Sequence, residues 1–458
     1  MSAVVVLDVG KTNVKLTVAS DEGRLGESVS RPNPVRPGPP YRHHDLAAIE
    51  EWLLGSLADL ARRHSIGAVV TSGHGSGGVL VDADGPVLPM MDYEQPAPPE
   101  VTRSYASAAG SFRERGSAIM LGTAHLARQM MWMEQDWPED FGKAVACLAV
   151  PQYWAWRLSG VLASEVTSLA AQSGLWCAAD ARPSALVKRR GWDRLLPRLQ
   201  PAWATLGPLR PEIAARTGLA KDVRVVNGIH DSSANLYRYQ AAGLADMTLV
   251  STGTWIVALS DRSGPDLDVE RPGLCCNADT LGRPLPGMLT MGGREFAAVS
   301  GGATGPARAD LLARLVETGT MALPSFGDDD GLFPGTAGRG ELRGSMAQDP
   351  EARFTLAVLM AALQTDRCLD GLPAETIVLD GPFVREPLFG ALIGALHPGR
   401  QILVNFESYG VAAGAALLAS HETRTAPVPL ALTPPPALHL DTLPAYRDRW
   451  RSKALSRR

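Results

Sequence analysis

Leu7-Asp8-Val9-Gly10-Lys11-Thr12-Asn13-Val14-Lys15 reads as a short apolar strand, a tight polar turn and the start of a second strand. The same device is written again as Val250-Ser251-Thr252-Gly253-Thr254-Trp255. In each copy a polar residue stands two positions before the turn glycine, Asp8 before Gly10 and Ser251 before Gly253. Such a turn presents backbone N–H groups and hydroxyls to an anionic oxygen. Its recurrence about half-way along a chain of 458 residues points to two related lobes. Between the copies lies Asn227-Gly228-Ile229-His230-Asp231-Ser232-Ser233-Ala234, which places one carboxylate after an apolar strand. Two such turns with a carboxylate between them suggest a nucleotide phosphate chain held from both sides beside a general base.

Outward from the first turn, Val4 to Leu7 and Val14 to Ala19 form a hairpin, and Glu27 to Arg31 adds a third strand. A Pro-rich loop follows. Leu46, Ile49, Leu53, Leu57 and Leu60 then recur at helical spacing behind the N-cap candidate Asp45. Ala68 to Thr71 is a strand that runs into Ser72-Gly73-His74-Gly75-Ser76-Gly77-Gly78. Residues 100–215, rich in Ala, Trp and Met, read as mostly helical, and Arg224 to Asn227 is the strand that delivers Asp231. After the second hairpin, helix Phe354 to Leu369, strand Thr376 to Leu379, helix Pro387 to Leu396, strand Gln401 to Val404 and helix Val411 to Ala419 alternate. That alternation implies an α/β sheet with parallel pairs. The expected domains are 1–243, 244–425 and a Pro-rich linker with a basic tail at 426–458, the tail from Tyr446 forming a short surface helix.

Lys and Arg total 44 against 48 Asp and Glu, so the net charge of −4 argues against a nucleic-acid surface. The five cysteines include no CxxC spacing, which indicates neither a disulfide framework nor a zinc site and fits a reduced cytoplasmic compartment. The N-terminal apolar run lacks a basic flank and is cut by Asp8, so no signal peptide is expected. No apolar window reaches the ~18 residues of a membrane span.

Through these separated motifs, in this order, the chain resembles the FGGY family of carbohydrate kinases, within the actin/hexokinase-like ATPase superfamily, over roughly residues 4–420. Within that family, Asp8 to Lys15, Gly228-Ile229-His230-Asp231-Ser232 and Gly292-Gly293-Arg294-Glu295-Phe296 most resemble bacterial L-rhamnulose and L-fuculose kinases. The resemblance implies an α/β fold of two ribonuclease-H-like (actin-like ATPase) lobes with a central cleft. It implies an enzyme that uses ATP and Mg²⁺ to phosphorylate a ketose hydroxyl at C1, on a 6-deoxy-L-ketohexose such as L-rhamnulose or L-fuculose. Kinases for D-xylulose, L-ribulose or glycerol, and a non-catalytic sugar or nucleotide sensor on the same fold, are the alternatives.

The expected nucleotide ligands are Gly10, Lys11, Thr12, Asn13 and Lys15 from the first turn and Thr252, Gly253 and Thr254 from the second. Gly293, Gly381 and Pro382 join them, because glycine-bearing turns let a flat adenosine approach backbone. Asp380 and Pro382 stand where the family writes outer glycines. Asp8, an acid, is not itself a phosphate ligand; its role is to hold Mg²⁺, directly or through water. Asp231 is the expected catalytic base, since an alcohol oxygen is a poor nucleophile while protonated and a carboxylate suffices for a loose transition state. It also suits the N-cap of a helix opened by Ser232. On the sugar side the resemblance implies His74, Gly75, Asp92, Tyr93, Glu94, His230 and Asp231. Asp92-Tyr93-Glu94-Gln95 departs from the family's Trp-x-Asp-x-Arg-like pattern, so which of the first three touches the sugar stays open. His43-His44 reads as a solvated loop and Met130-Met131-Trp132-Met133 as helix packing. The expected partners are a small sugar and ATP, with no nucleic acid and no membrane; a homodimer is left open.

Overall fold

Successive side chains of a strand point to opposite faces, and the run Val4-Val5-Val6-Leu7 gives both faces of the first sheet an apolar lining. In the computed structural model, which describes residues 2–262, 264–327, 331–407 and 410–457, β1 (Ala3–Val9) and β2 (Asn13–Ala19) form a hairpin. β3 (Leu25–Pro32) extends it antiparallel. On its other side β1 pairs in parallel with β4 (Ile66–Gly73). Beyond β4 come β5 (Thr205–Pro208) and β6 (Arg224–His230), in the order β5-β6-β4-β1-β2-β3, with β6 parallel to β4. Val5, Leu7 and Val9 pack with α1 (Leu46–Ala61) and α2 (Val150–Ser159). Val4 and Val6 pack with α3 (Asp231–Ala241) on the opposite face. Asp45 caps α1 as expected, its side chain accepting from the Ala48 amide at 3.1 Å.

The plan then repeats. β7 (Met247–Thr252) and β8 (Ile256–Ser260) form the second hairpin. β9 (Leu274–Ala278), β10 (Pro284–Thr290), β11 (Thr376–Asp380) and β12 (Gln401–Val404) complete a sheet of order β9-β10-β8-β7-β11-β12. β7 pairs in parallel with β11, and β11 with β12. Helices α4 (Gly292–Ser300), α5 (Pro350–Leu369) and α6 (Pro387–Leu396) lie between these strands in sequence. The registers correspond: Asp8 stands opposite Ser72 on the parallel neighbour, and Ser251 opposite Asp380. The mixed α/β architecture with two sheet-containing lobes is therefore the one the repeated turn implied.

The packed units are discontinuous in sequence. The first comprises Met1–Leu244, Cys276–Pro284 and Tyr409–Pro429; the second comprises Ala245–Cys275, Leu285–Ser408 and Leu430–Arg458. Met1 and Arg458, which end the expected domains, lie outside the described residues. The return of 409–429 has a local cause. α7 (Gly410–Ala416) is built from small residues and joins Ala234 and Tyr237 of α3 in one apolar cluster. A Cβ on Gly414 would sit 1.8 Å from the Ala234 carbonyl oxygen, so only glycine permits this approach. Gly414→Ala is expected to destabilise the first unit by about 1–3 kcal/mol through overpacking. An unchanged denaturation midpoint would show that the two helices are not in this contact.

The tail also departs from the reading as a surface helix. α8 (Leu443–Leu455) buries Leu443, Tyr446, Trp450 and Ala454, one stripe at helical spacing. Tyr446 Oη donates to the Thr320 carbonyl at 2.6 Å, Trp450 Nε1 donates to the Ala322 carbonyl at 2.7 Å, and Arg451 pairs with Asp370 at 2.9 Å. Among the described residues no helix is long and apolar enough to cross a membrane. All five cysteines are buried and unbridged.

Candidate active site

Three adjacent parallel strands of the first sheet, β1, β4 and β6, end at Val9, Gly73 and His230. Ligands of open α/β sheets collect beyond such carboxyl ends. Asp8 lies opposite Ser72 and His230 opposite Gly73, so Asp8, His74 and Asp231 emerge at one end of the sheet. A bulge sets the exit of β6. Val226 pairs with Val70 but Ile229 with Ser72, which leaves one extra residue on β6. Gly228 sits in it at φ +89°, where a Cβ would lie 2.2 Å from the Thr71 carbonyl oxygen. The displaced Asn227 carbonyl accepts from Gln152 Nε2 at 3.1 Å and from Thr71 Oγ1 at 3.3 Å.

Asp231 opens α3, with His230 as the N-cap residue, so the expected capping position falls one residue earlier. A carboxylate in a first helical turn faces the positive end of the helix dipole. Asp231 Oδ1 accepts from the Ser232 amide at 2.5 Å and Ser232 Oγ at 3.2 Å, and it lies 3.1 Å from His230 Nε2. The side chain is 29% exposed, open enough to meet a ligand. His230 is buried, which lowers its pKa against the opposing pull of Asp231 and leaves a neutral ring. Its amide donates to Thr167 Oγ1 at 3.1 Å. Asp8 is pushed up to about 7 by burial first and then by the charge of Asp231, with Lys15 opposing. Two carboxylates therefore compete at these strand ends, an arrangement that a hard divalent cation with oxygen ligands relieves. In the first turn, the Gly10 amide donates to the Asn13 carbonyl at 2.9 Å, while the Thr12 and Asn13 side chains are exposed.

A second group lies beside these. His74 is buried, its pKa lowered by that burial, and its Nδ1 donates to the Gly75 carbonyl at 2.8 Å. That tautomer makes Nε2 an acceptor, and this atom has no hydrogen-bond partner among the described residues. Gly75 approaches closely: a Cβ there would lie 3.1 Å from His230 Nε2. The Tyr93 ring packs edge-on against His74 with centroids 5.4 Å apart. Asp92 is fully buried, with Lys11 on one carboxylate oxygen and Arg42 Nη2 at 2.8 Å from the other. Glu94 Oε2 lies 3.7 Å from Lys11 Nζ. Lys11, expected on the phosphates, thus points to the residues expected on the sugar. The reason is electrostatic, since a fully buried carboxylate needs counter-charges.

His44 corrects the reading of 43–44 as a solvated loop. It is buried, its ring is 6.0 Å from that of His74, and burial holds its pKa at about 3. Backbone pairing explains this: the His44 amide donates to the Met90 carbonyl at 3.0 Å, and the Asp92 amide donates to the Arg42 carbonyl at 2.9 Å. Arg42 and His44 were missed because nothing in their spacing signals that pairing.

The second unit carries the other expected nucleotide residues. The Thr252 hydroxyl is engaged inside the unit. Its Oγ1 donates to the Asp380 carbonyl at 2.7 Å and accepts from the Phe383 amide at 3.2 Å. Gly253 and Thr254 form the turn itself, and the Gly293 amide donates to the Thr254 carbonyl at 3.1 Å. A Cβ on Gly293 would meet the Gly253 carbonyl at 2.1 Å, so this turn rests on the N-terminus of α4, a position that favours anions. Gly381, at φ +95°, lies against Thr252, and Pro382 lines a pocket of about 520 Å³ with Phe296, Phe354, Phe383, Phe389 and Pro387. The phenylalanine lining was not anticipated; its members come from four separate helical segments.

Residues 3–237 match the model of the N-terminal domain of the FGGY family of carbohydrate kinases, and residues 244–427 match the C-terminal domain of carbohydrate kinase FGGY. Over 307 residues the chain is 25% identical to the L-fuculokinase of Escherichia coli (strain K12), covering 62% of each protein. It is 25% identical over 282 residues to the xylulose kinase of Bacillus subtilis (strain 168), covering 58% of this chain and 55% of that protein. The match thus spans about three fifths of the length of these curated relatives. A carbohydrate kinase from Novosphingobium aromaticivorans superposes with a TM-score of 0.85 at 31% identity, covering 98% of this chain and 100% of the other. A ligand-bound xylulose kinase from Lactobacillus acidophilus superposes at 0.81 with 16% identity, covering 99% and 97%, a likeness of fold.

Proposed function

The chain belongs to the FGGY family of carbohydrate kinases, and from that premise we propose that it transfers the γ-phosphoryl group of ATP to a ketose hydroxyl. The acceptor we favour is a 6-deoxy-L-ketohexose, L-fuculose or L-rhamnulose, phosphorylated at C1. The carrying observation is the placement of Asp231, partly exposed in the first turn of α3 at the end of β6, where its charge is felt by Asp8 on β1, one strand beyond β4.

Asp231 accepts the proton of the attacking hydroxyl, with its Oδ1 oriented by Ser232. Neutral His230 and His74 offer hydrogen bonds to sugar hydroxyls, and Tyr93 offers a flat apolar face. Glu94 supplies an acceptor, and the buried Asp92 anchors Lys11 beside it. The exposed Thr12 and Asn13 of the first unit offer donors to phosphate oxygens; within the second unit, the Gly253 and Thr254 turn on the N-terminus of α4 suits an anion. The pocket beside Gly381 and Pro382 takes adenosine against its phenylalanines. Asp8 is the residue that would hold Mg²⁺, directly or through water, with Asp231 nearby. When bound, the ion neutralises charge on the transferring phosphates.

The 25% identity to a xylulose kinase keeps D-xylulose as the second acceptor. The test is ADP release over a panel of L-fuculose, L-rhamnulose, D-xylulose, L-ribulose and glycerol, with the product position read by NMR. We expect sugar-stimulated turnover with at least one ketose and its loss with EDTA. Absence of stimulation by every member would remove the kinase reading and favour a sensor.

A further inference from the structure

Lys11 follows the turn glycine, where a lysine is naturally read as a phosphate ligand, yet its side chain runs to the acceptor loop at 92–94. We propose that Lys11 is an acceptor-positioning residue, which with Asp92 and Glu94 forms a donor–acceptor clamp for vicinal hydroxyls of a neutral polyol. The proposal rests on the kinase reading above.

Three observations carry it. Asp92 is fully buried and is held by Lys11 on one oxygen and Arg42 on the other, so Lys11 is bound to a rigid partner. The loop is fixed in turn: the Asp92 amide donates to the Arg42 carbonyl, the Arg42 amide donates to Gln95 Oε1 at 3.1 Å, and the Glu94 amide donates to Asp92 Oδ1 at 3.2 Å. Lys11 Nζ also lies 5.2 Å from the Tyr93 ring centroid, and its charge is felt by His74 and His44, which places it among the sugar-side residues.

The chemistry follows from the donor inventory. An ammonium has three N–H donors, and Asp92 and Glu94 take it from one side. A vicinal diol can accept from such a donor while donating to Glu94, the partly exposed carboxylate beside it. The clamp therefore suits the hydroxyls of a neutral polyol.

The test is Lys11→Met in the full-length protein, with L-fuculose and D-xylulose as acceptors and a fluorescent ATP analogue titrated without sugar. We expect the acceptor KM to rise about tenfold or more, as for loss of a charged hydrogen bond, with affinity for the analogue changed less than about twofold. A nucleotide affinity that falls about tenfold while acceptor KM holds would overturn the proposal and return Lys11 to the phosphates. Should circular dichroism show Lys11→Met unfolded, Lys11→Arg keeps the charge on Asp92 but shifts the donors. The same split is expected there, and an unchanged acceptor KM would overturn the proposal equally. Wild-type protein with no sugar-stimulated ADP release is a separate result, which removes the kinase reading itself.

Discussion

Asp231→Ala is expected to lower kcat by about 10²–10⁴-fold, the usual contribution of a general base, while affinity for ATP stays close to that of the wild type. The expectation comes from position rather than residue type. Other carboxylates lie close by, but Asp92 is buried between Lys11 and Arg42, and Asp8 is partly protonated near neutral pH. Asp231 is the one at the helix start, with its charge supported by the Ser232 amide and hydroxyl. Asp231→Asn keeps the shape and an oxygen to accept from the Ser232 amide yet cannot take the proton, so it should fall nearly as far as the alanine variant. Steady-state ADP release with the preferred ketose measures both. Turnover within about threefold of wild type in either variant would deny Asp231 the role of base.

Trp450→Ala should produce the largest loss of stability. The indole is fully buried in α8, meets Phe333 edge-on at 5.8 Å between centroids, and donates Nε1–H to the Ala322 carbonyl at 2.7 Å. Truncating a buried Trp to Ala costs about 3–5 kcal/mol. In a unit of this size that corresponds to a fall of about 6–20 °C in Tm. Differential scanning calorimetry would read it as a downward shift of the transition belonging to the second unit. A shift below about 2 °C would mean that α8 adds little to the stability of that unit.

The architecture could be read from the chain because local chemistry and long-range pairing agree there. The apolar run Val4-Val5-Val6-Leu7, the repeated turn glycines Gly10 and Gly253, and the strand leading to Asp231 each require little more than neighbouring residues. The parts that escaped are set by partners distant in sequence. Lys11 and Asp92 are 81 positions apart, and nothing in the turn says which way a flexible lysine will lie. Thr252 turns inward because Asp380 and Phe383, about 130 positions further on, offer it an acceptor and a donor. His44 is hidden by backbone pairing to Met90. The tail looked solvated because its many charges masked a four-residue apolar stripe.

The discontinuity of the first unit bears on how the polypeptide is made. A ribosome releases residues from the amino end, so Val4, Val6, Val226 and Ile229 emerge long before Ala412, Ala415, Ala416 and Leu417, which share their cluster. Until the segment that ends at Pro429 leaves the exit tunnel, one side of the first sheet has no cover from α7. Nascent protein in that interval presents a sticky valine-rich surface, the kind of intermediate that holding chaperones protect.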